Sequence, residues 1–285
     1  MFYSIPARDN TGMTRLIALF AKPGPARDGL ELALVALAFL LYFIVRASVI
    51  DRPDLAIENA LRIVDAERAL GIYAERAWQE AVLEDTTIVR SFNFVYFWLD
   101  FPLIAAVGLL LYFRRRRQYT FTRDAMLFSG ALALVAYAFF PVAPPRLVPD
   151  SGMVDTLQAL DNLSYQAQST EFFVNPYAAM PSLHVGWAFL VSIGVVMAFP
   201  GNRVVLVLAV LHPVAQWAST VFTGNHYFLD GAGGLVVIAF GLAGATFMQR
   251  RGYTALRQWL RIDGAAPGSR GNGQAEAADR LRRDT

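Results

Sequence analysis

Apolar residues cluster in six long stretches, roughly 29–49, 91–113, 124–142, 183–199, 203–221 and 227–248. A bilayer core of about 30 Å needs about 20 such residues in a helix, so each stretch is expected to be a transmembrane helix. Segment 50–90 has another pattern. Ile57, Ala60, Leu61 and Val64 fall on one helical face, while Glu58, Arg62, Asp65 and Glu67 occupy the others. Pro53–Asp54 is a helix start signal, and such a helix is expected to lie on the outer leaflet. The sequence therefore predicts an all-α integral membrane protein, a six-transmembrane-helix bundle with an outer-face amphipathic segment.

The flanks read differently. Residues 1–28 form a cytoplasmic lead-in with Arg8, Arg15, Lys22, Arg27 and a short apolar piece at Leu16–Ala21. The long first span and the lack of an obvious small-residue cleavage site argue against a signal peptide. Residues 29–248 make the membrane domain. Residues 249–285 are expected to be a cytoplasmic tail, disordered from Gly264 to Thr285, where Gly, Ala and charge replace any apolar period. No internal repeat is evident.

Composition narrows the function. Of 285 residues, 55% are hydrophobic and 17% charged; a soluble domain carries about 25% charged residues. The absence of Cys excludes a disulfide framework, a thiolate nucleophile and a cysteine zinc site. A net charge of +2 is too small to suggest a nucleic-acid partner. Lys22 is the only lysine beside 24 Arg, a bias we attribute to GC-rich coding. The charge is unevenly spread. Arg114–Arg117 and Arg123 follow the second span, and Arg250, Arg251, Arg257 and Arg261 follow the sixth. The positive-inside rule puts these segments and both termini in the cytoplasm. The opposite segments are acidic, with nine acids against five Arg in 50–90 and four against Arg146 alone in 143–180.

Polar residues in such a chain are functional candidates by default. His184 opens the fourth span in Pro181-Ser182-Leu183-His184, and His226 opens the sixth in Gly224-Asn225-His226-Tyr227. One span in, the Pro200-Gly201-Asn202 turn and one span back separate them, so both belong to the outer face. Arg146, just beyond the third span, joins them there. His226 and Asp230 are i and i+4, a spacing that puts both on one helical face. The carboxylate can fix the imidazole tautomer and leave the other nitrogen as nucleophile or base. Ser182 and His184 sit at a helix N-terminus, which favours an anion, and Arg146 adds a planar donor for phosphate oxygens. Together these groups suit in-line attack on phosphorus. His212, before Pro213 in mid-span, reads as a bundle-interior contact. Gly231, Gly233, Gly234, Gly241 and Gly244 read as points of close helix approach.

These residues resemble the type 2 phosphatidic acid phosphatase superfamily, over about residues 55–248. Pro181-Ser182-Leu183-His184 is similar to its Pro-Ser-Gly-His motif, with Leu183 for Gly. Ser219-Thr220, His226 and Asp230 follow the spacing of its Ser-Arg…His…Asp motif, with Thr220 for Arg. Arg146 matches the Arg of the Lys…Arg-Pro motif, with Phe139 at the Lys position and Leu147 for Pro. The variants look most like the branch of inositol phosphorylceramide synthase and its bacterial relatives. The resemblance implies His226 as nucleophile of a phosphohistidine, Asp230 as its orienter and His184 as general acid. It implies Arg146, Ser182 and the Leu183 N–H as phosphate holders, with no metal or organic cofactor. Asn225 or Tyr177, or one of Arg62, Arg68 and Arg76, would have to make up for the missing cations.

The leading expectation is thus a lipid phosphotransferase of the plasma membrane, working at its extracytoplasmic face on a membrane lipid and an alcohol acceptor. A lipid phosphatase would use the same residues with water as acceptor. Two other classes fit part of the pattern: a metal enzyme built on His184, His226 and Asp230, and a non-catalytic lipid binder or transporter.

Overall fold

The computed structural model describes residues 25–161 and 175–255. The expected lead-in up to residue 24, and the expected tail from 256 onward with its disordered part Gly264–Thr285, lie outside the described residues. The described chain is helical. α1 (Pro25–Val49) is followed by α2 (Pro53–Leu70) and α3 (Glu75–Glu80). Then come α4 (Thr86–Trp98), α5 (Phe101–Arg114), α6 (Arg116–Phe139), α7 (Leu183–Ala198), α8 (Arg203–Phe222) and α9 (Phe228–Phe247). The contacts divide the chain into two units, and the site below lies wholly within 35–249.

Each of the six apolar stretches is helical, but the spans are less uniform than the pattern suggests. Among the described residues, three helices are long and apolar enough to cross a bilayer: Asp28–Val49, Arg203–Phe222 and Phe228–Ala255. A fourth results if α4 and α5, bent by 42°, count as one span. Pro102 explains the bend, since it lacks an N–H and its ring clashes with the carbonyl of residue 98. α6 starts at Arg116 rather than near 124, so Arg117, Arg123 and Asp124 dilute its apolar run. α7 is short, running from Leu183 to Ala198. Large apolar side chains such as Phe39, Phe113, Val204, Leu208 and Phe240 stay exposed along the helices, as lipid-facing surfaces do. The chain is a multi-pass membrane protein.

Segment 50–90 is helical as expected, with its buried face rotated. Ala56, Asn59, Ala60, Ile63, Val64 and Glu67 are buried, whereas Leu61 is exposed. Glu67, expected on a solvated face, is fully buried. This face packs with Val142, Ala143, Val148, Ala179 and Tyr227, so α2 covers the loops that carry the site.

α9 packs against α6 and α7, and its glycines permit the approach. A Cβ on Gly241 would lie 2.6 Å from the Ala125 carbonyl oxygen, and one on Gly234 2.2 Å from that of Ser182. Gly231 and Gly244 meet the rings of Trp217 and Phe128. At Gly233 the nearest atom is 3.3 Å away, so that position is less tight.

Candidate functional site

Three turns meet beneath α2. Gly224, at φ 73°, reverses the chain after α8, and the Asn225 and His226 N–H groups both donate to the Thr220 carbonyl (3.0 and 3.1 Å). The Arg146 N–H donates to the Gly224 carbonyl (3.1 Å), tying the second turn to the first. The third turn, at Ser182, is held by its N–H donating to the Asp230 carbonyl (2.8 Å). Val142 and Ala178 form a parallel bridge that lines up the segments leading into the second and third turns.

His226 is buried beside Asp230. Its Nδ1 lies 2.9 Å from the Ala179 carbonyl and 3.2 Å from Asp230 Oδ2. Both are acceptors, so Nδ1 carries the proton and Nε2 keeps its lone pair. Burial pushes the His226 imidazole below the ordinary histidine range, against the opposing pull of Asp230. The i, i+4 geometry is not that of a helix face, because α9 begins at Phe228. Asp230 occupies the N3 position instead and also accepts the Tyr227 N–H (2.9 Å) in a capping box.

His184 stands opposite, with its ring centroid 5.7 Å from that of His226. Tyr96 stacks on it at 4.5 Å and places its hydroxyl 3.2 Å from Nε2. Its Nδ1 lies 2.9 Å from Asp100 Oδ2, at ion-pair distance. Asp100 was not apparent in the sequence, where it is one acid inside an apolar run.

Arg146 Nη1 donates to Asn225 Oδ1, and its Nε lies 2.9 Å from Asp155 Oδ2. Asp155 is another residue that spacing gave no reason to choose. Ser182 is fully buried, and its Oγ accepts the Val185 N–H (3.4 Å), capping α7. Leu183 is the first residue of that helix. Tyr177 packs against the core beside Ala179. Arg62, Arg68 and Arg76 pair with Glu58, Asp65 and Glu80 on exposed surface. Phe139, at the expected Lys position, is 83% exposed, so it adds nothing to the cradle. His212 is the interior contact expected of it, between Ser192 Oγ (3.2 Å) and the Leu99 carbonyl (2.8 Å). Among the described residues no three His, Asp or Glu are grouped as a metal ion would require.

Two buried acids hold the start of α9. Glu75 Oε1 accepts the Phe228 N–H (3.0 Å) and Glu67 Oε1 the Leu229 N–H (2.7 Å). Burial, then the hydrogen bond that the protonated carboxyl gives to Glu75, pushes Glu67 up to about 9. Glu67 is therefore protonated at neutral pH in the folded chain and ionised in the unfolded one. Its contribution to stability is present below the unfolded value of 4.5 and is lost as pH rises towards 9. The melting temperature in detergent micelles should fall between pH 5 and 9, and Glu67→Gln, which cannot ionise, should flatten that fall. An unchanged slope would contradict the protonated state.

Two facing histidines, a carboxylate on the buried one and an arginine bonded to the neighbouring Asn225 are a set of groups suited to phosphoryl chemistry. The family comparison agrees: the model of the PAP2 superfamily matches residues 61–244, and the chain belongs to that superfamily. It is thus a phosphatase or phosphotransferase. No curated protein and no solved structure matches the chain.

Proposed function

We propose that the chain is a lipid phosphotransferase that moves a phospho-headgroup from a phospholipid to an alcohol through a phosphohistidine on His226. The six apolar helices would all span the plasma membrane, with 1–28 and 249–285 in the cytoplasm and the site at the extracytoplasmic face. The split of basic and acidic loops supports that orientation. His226 Nε2 attacks phosphorus, the P–O bond breaks, and His184 protonates the departing oxygen. Asp230 holds His226 in its reactive tautomer. Arg146, with Asn225, Ser182 and the first turn of α7 around Leu183, receives the phosphoryl oxygens. In the second half His184 takes the proton of the acceptor alcohol, whose oxygen attacks phosphorus as the P–N bond breaks.

One observation favours a transferase over a phosphatase: Arg146 is already paired with Asp155. With Phe139 and Thr220 where the superfamily motifs have cations, the cradle carries almost no net positive charge. A phosphate monoester brings up to two negative charges and a phosphodiester only one, so the diester fits better. Removing the Asp155 charge should favour the monoester. At an effective dielectric of about 20, a charge some 4–5 Å away is worth a few kcal/mol. Asp155→Asn should therefore lower KM for a lipid phosphate monoester by about tenfold, and lower KM for a diester less. Equal shifts for the two would count against the charge argument.

The direct test is incubation of the purified protein in micelles with labelled phosphatidic acid and phosphatidylinositol, with and without alcohol acceptors. Acceptor-dependent transfer from the diester is expected. Free phosphate released from the monoester whatever the acceptor would make the protein a phosphatase.

A further inference from the structure

Asp100 lies at the break between α4 and α5, and its surroundings differ from those of a helix-capping aspartate. It occupies the N-cap position of α5, yet its side chain caps no backbone N–H. It is 2% exposed, and its Oδ1 has no hydrogen-bond partner among the described residues. Its Oδ2 lies 2.9 Å from His184 Nδ1, at ion-pair distance but off the line of the ring N–H. A buried carboxylate taken from water is strongly disfavoured unless an opposite charge compensates it, and His184 is the group in place to do so.

The break is itself supported. Where a helix is interrupted, carbonyl oxygens lose their partners, and two residues one turn apart on α8 supply donors. His212 Nε2 lies 2.8 Å from the Leu99 carbonyl and Gln216 Nε2 3.3 Å from that of Tyr96. His212 can donate there because its Nδ1 lies 3.2 Å from the Ser192 hydroxyl, which can donate to it. Tyr96, at the end of α4, stacks on the His184 ring, and Phe101, at the start of α5, meets that ring edge-on at 6.1 Å. The interruption thus delivers a charge and two flanking rings to one imidazole.

We propose that Asp100 is a positioning residue for His184, forming with it a second His–Asp pair that serves protonation of the leaving group. This rests on the phosphoryl-transfer reading above. The carboxylate keeps a proton on Nδ1, so Nε2 is the nitrogen that gives and regains a proton. In the first half-reaction the electron pair of the breaking P–O bond goes to the leaving oxygen, which takes the Nε2 proton. His184 becomes neutral and keeps its Nδ1 proton beside the Asp100 carboxylate. In the second half Nε2 takes the proton of the attacking alcohol, and the imidazolium forms again beside the carboxylate. The two pairs divide the work: His226–Asp230 handles phosphorus and His184–Asp100 handles the proton.

A general acid matters for a poor leaving group and little for a good one. The test compares short-chain phosphatidylinositol, which releases an aliphatic alcohol, with p-nitrophenyl inositol phosphate, which releases a phenolate needing no proton. General acid–base groups contribute about 10²–10⁴-fold. Asp100→Asn should lower the lipid-to-aryl ratio of kcat about tenfold or more, and Asp100→Glu, which restores the charge, should return it part of the way. The ratio is read on one preparation, so partial misfolding cancels. In the His184→Ala background Asp100→Asn should add no further change. A ratio unchanged in Asp100→Asn, or lowered as much by Glu as by Asn, overturns the proposal. A second measurement needs no substrate: nitrogen-15 NMR of the labelled histidines in micelles. It should show His184 protonated on Nδ1 in the parent chain and a mixed tautomer in Asp100→Asn. His184 protonated on Nε2 alone in the parent chain overturns the proposal even if neither ester is turned over, an outcome that would sink only the inositol-lipid substrate.

Discussion

Replacing His226 with alanine is expected to lower kcat by about 10³-fold or more while leaving lipid binding within a few-fold. Losing the nucleophile of a covalent mechanism removes the pathway itself. The imidazole is buried, with Nδ1 committed to the Ala179 carbonyl and Asp230, so Nε2 is the nitrogen left to attack. Asp230→Asn should cost less. The Ala179 carbonyl would still hold the Nδ1 proton, and the amide oxygen could still accept from the Tyr227 N–H. Turnover and lipid binding of both variants, measured in micelles, check the order. Equal losses would mean that Asp230 does more than orient. The acid limb of the pH–rate profile should lie below the ordinary histidine range, because burial favours the neutral imidazole that attacks. A limb above pH 6.5 would contradict that direction.

Gly234→Ala is expected to damage both stability and activity. Its Cβ would lie 2.2 Å from the Ser182 carbonyl oxygen and 3.3 Å from the Gly186 nitrogen, so backbone meets backbone and no side chain can swing aside. Overpacking of this kind costs about 1–3 kcal/mol. Here the displaced atoms belong to the turn that carries His184, so kcat should also fall by more than tenfold. Gly233→Ala is the control, since its Cβ would find its nearest atom, a flexible Met180 methyl, at 3.3 Å. Thermal unfolding and turnover of the two variants should separate clearly; similar behaviour would mean that α7 and α9 can move apart freely.

Much of the site was legible from apolar runs and loop parity. Those two features bring Arg146, His184 and His226 to one end of the bundle, where the structure places them within three linked turns. Asp230 was also found by spacing, though the contact arises from a capping turn and not from a helix face. The missed residues share a physical cause. Asp100, Asp155 and Glu67 are acids whose roles depend on partners distant in the chain, and local pattern assigns such residues to solvent or to caps. Glu67 shows this best: helical periodicity placed it outside, yet a rotation of the α2 face buries it against α9. The bend between α4 and α5 could have been read from Pro102. Its consequence, a carboxylate at ion-pair distance from His184, could not, because it needs the donors of His212 and Gln216 on α8.

The central claim is a covalent phosphoryl intermediate on His226, and trapping it is the most direct test. The protein in micelles is mixed with phosphorus-labelled donor lipid, quenched in alkali within milliseconds and digested. The account predicts acid-labile, alkali-stable label on the peptide containing His226, discharged by an added alcohol acceptor and absent from His226→Ala. Turnover by the parent chain with no labelled peptide, or label that persists in His226→Ala, would contradict it.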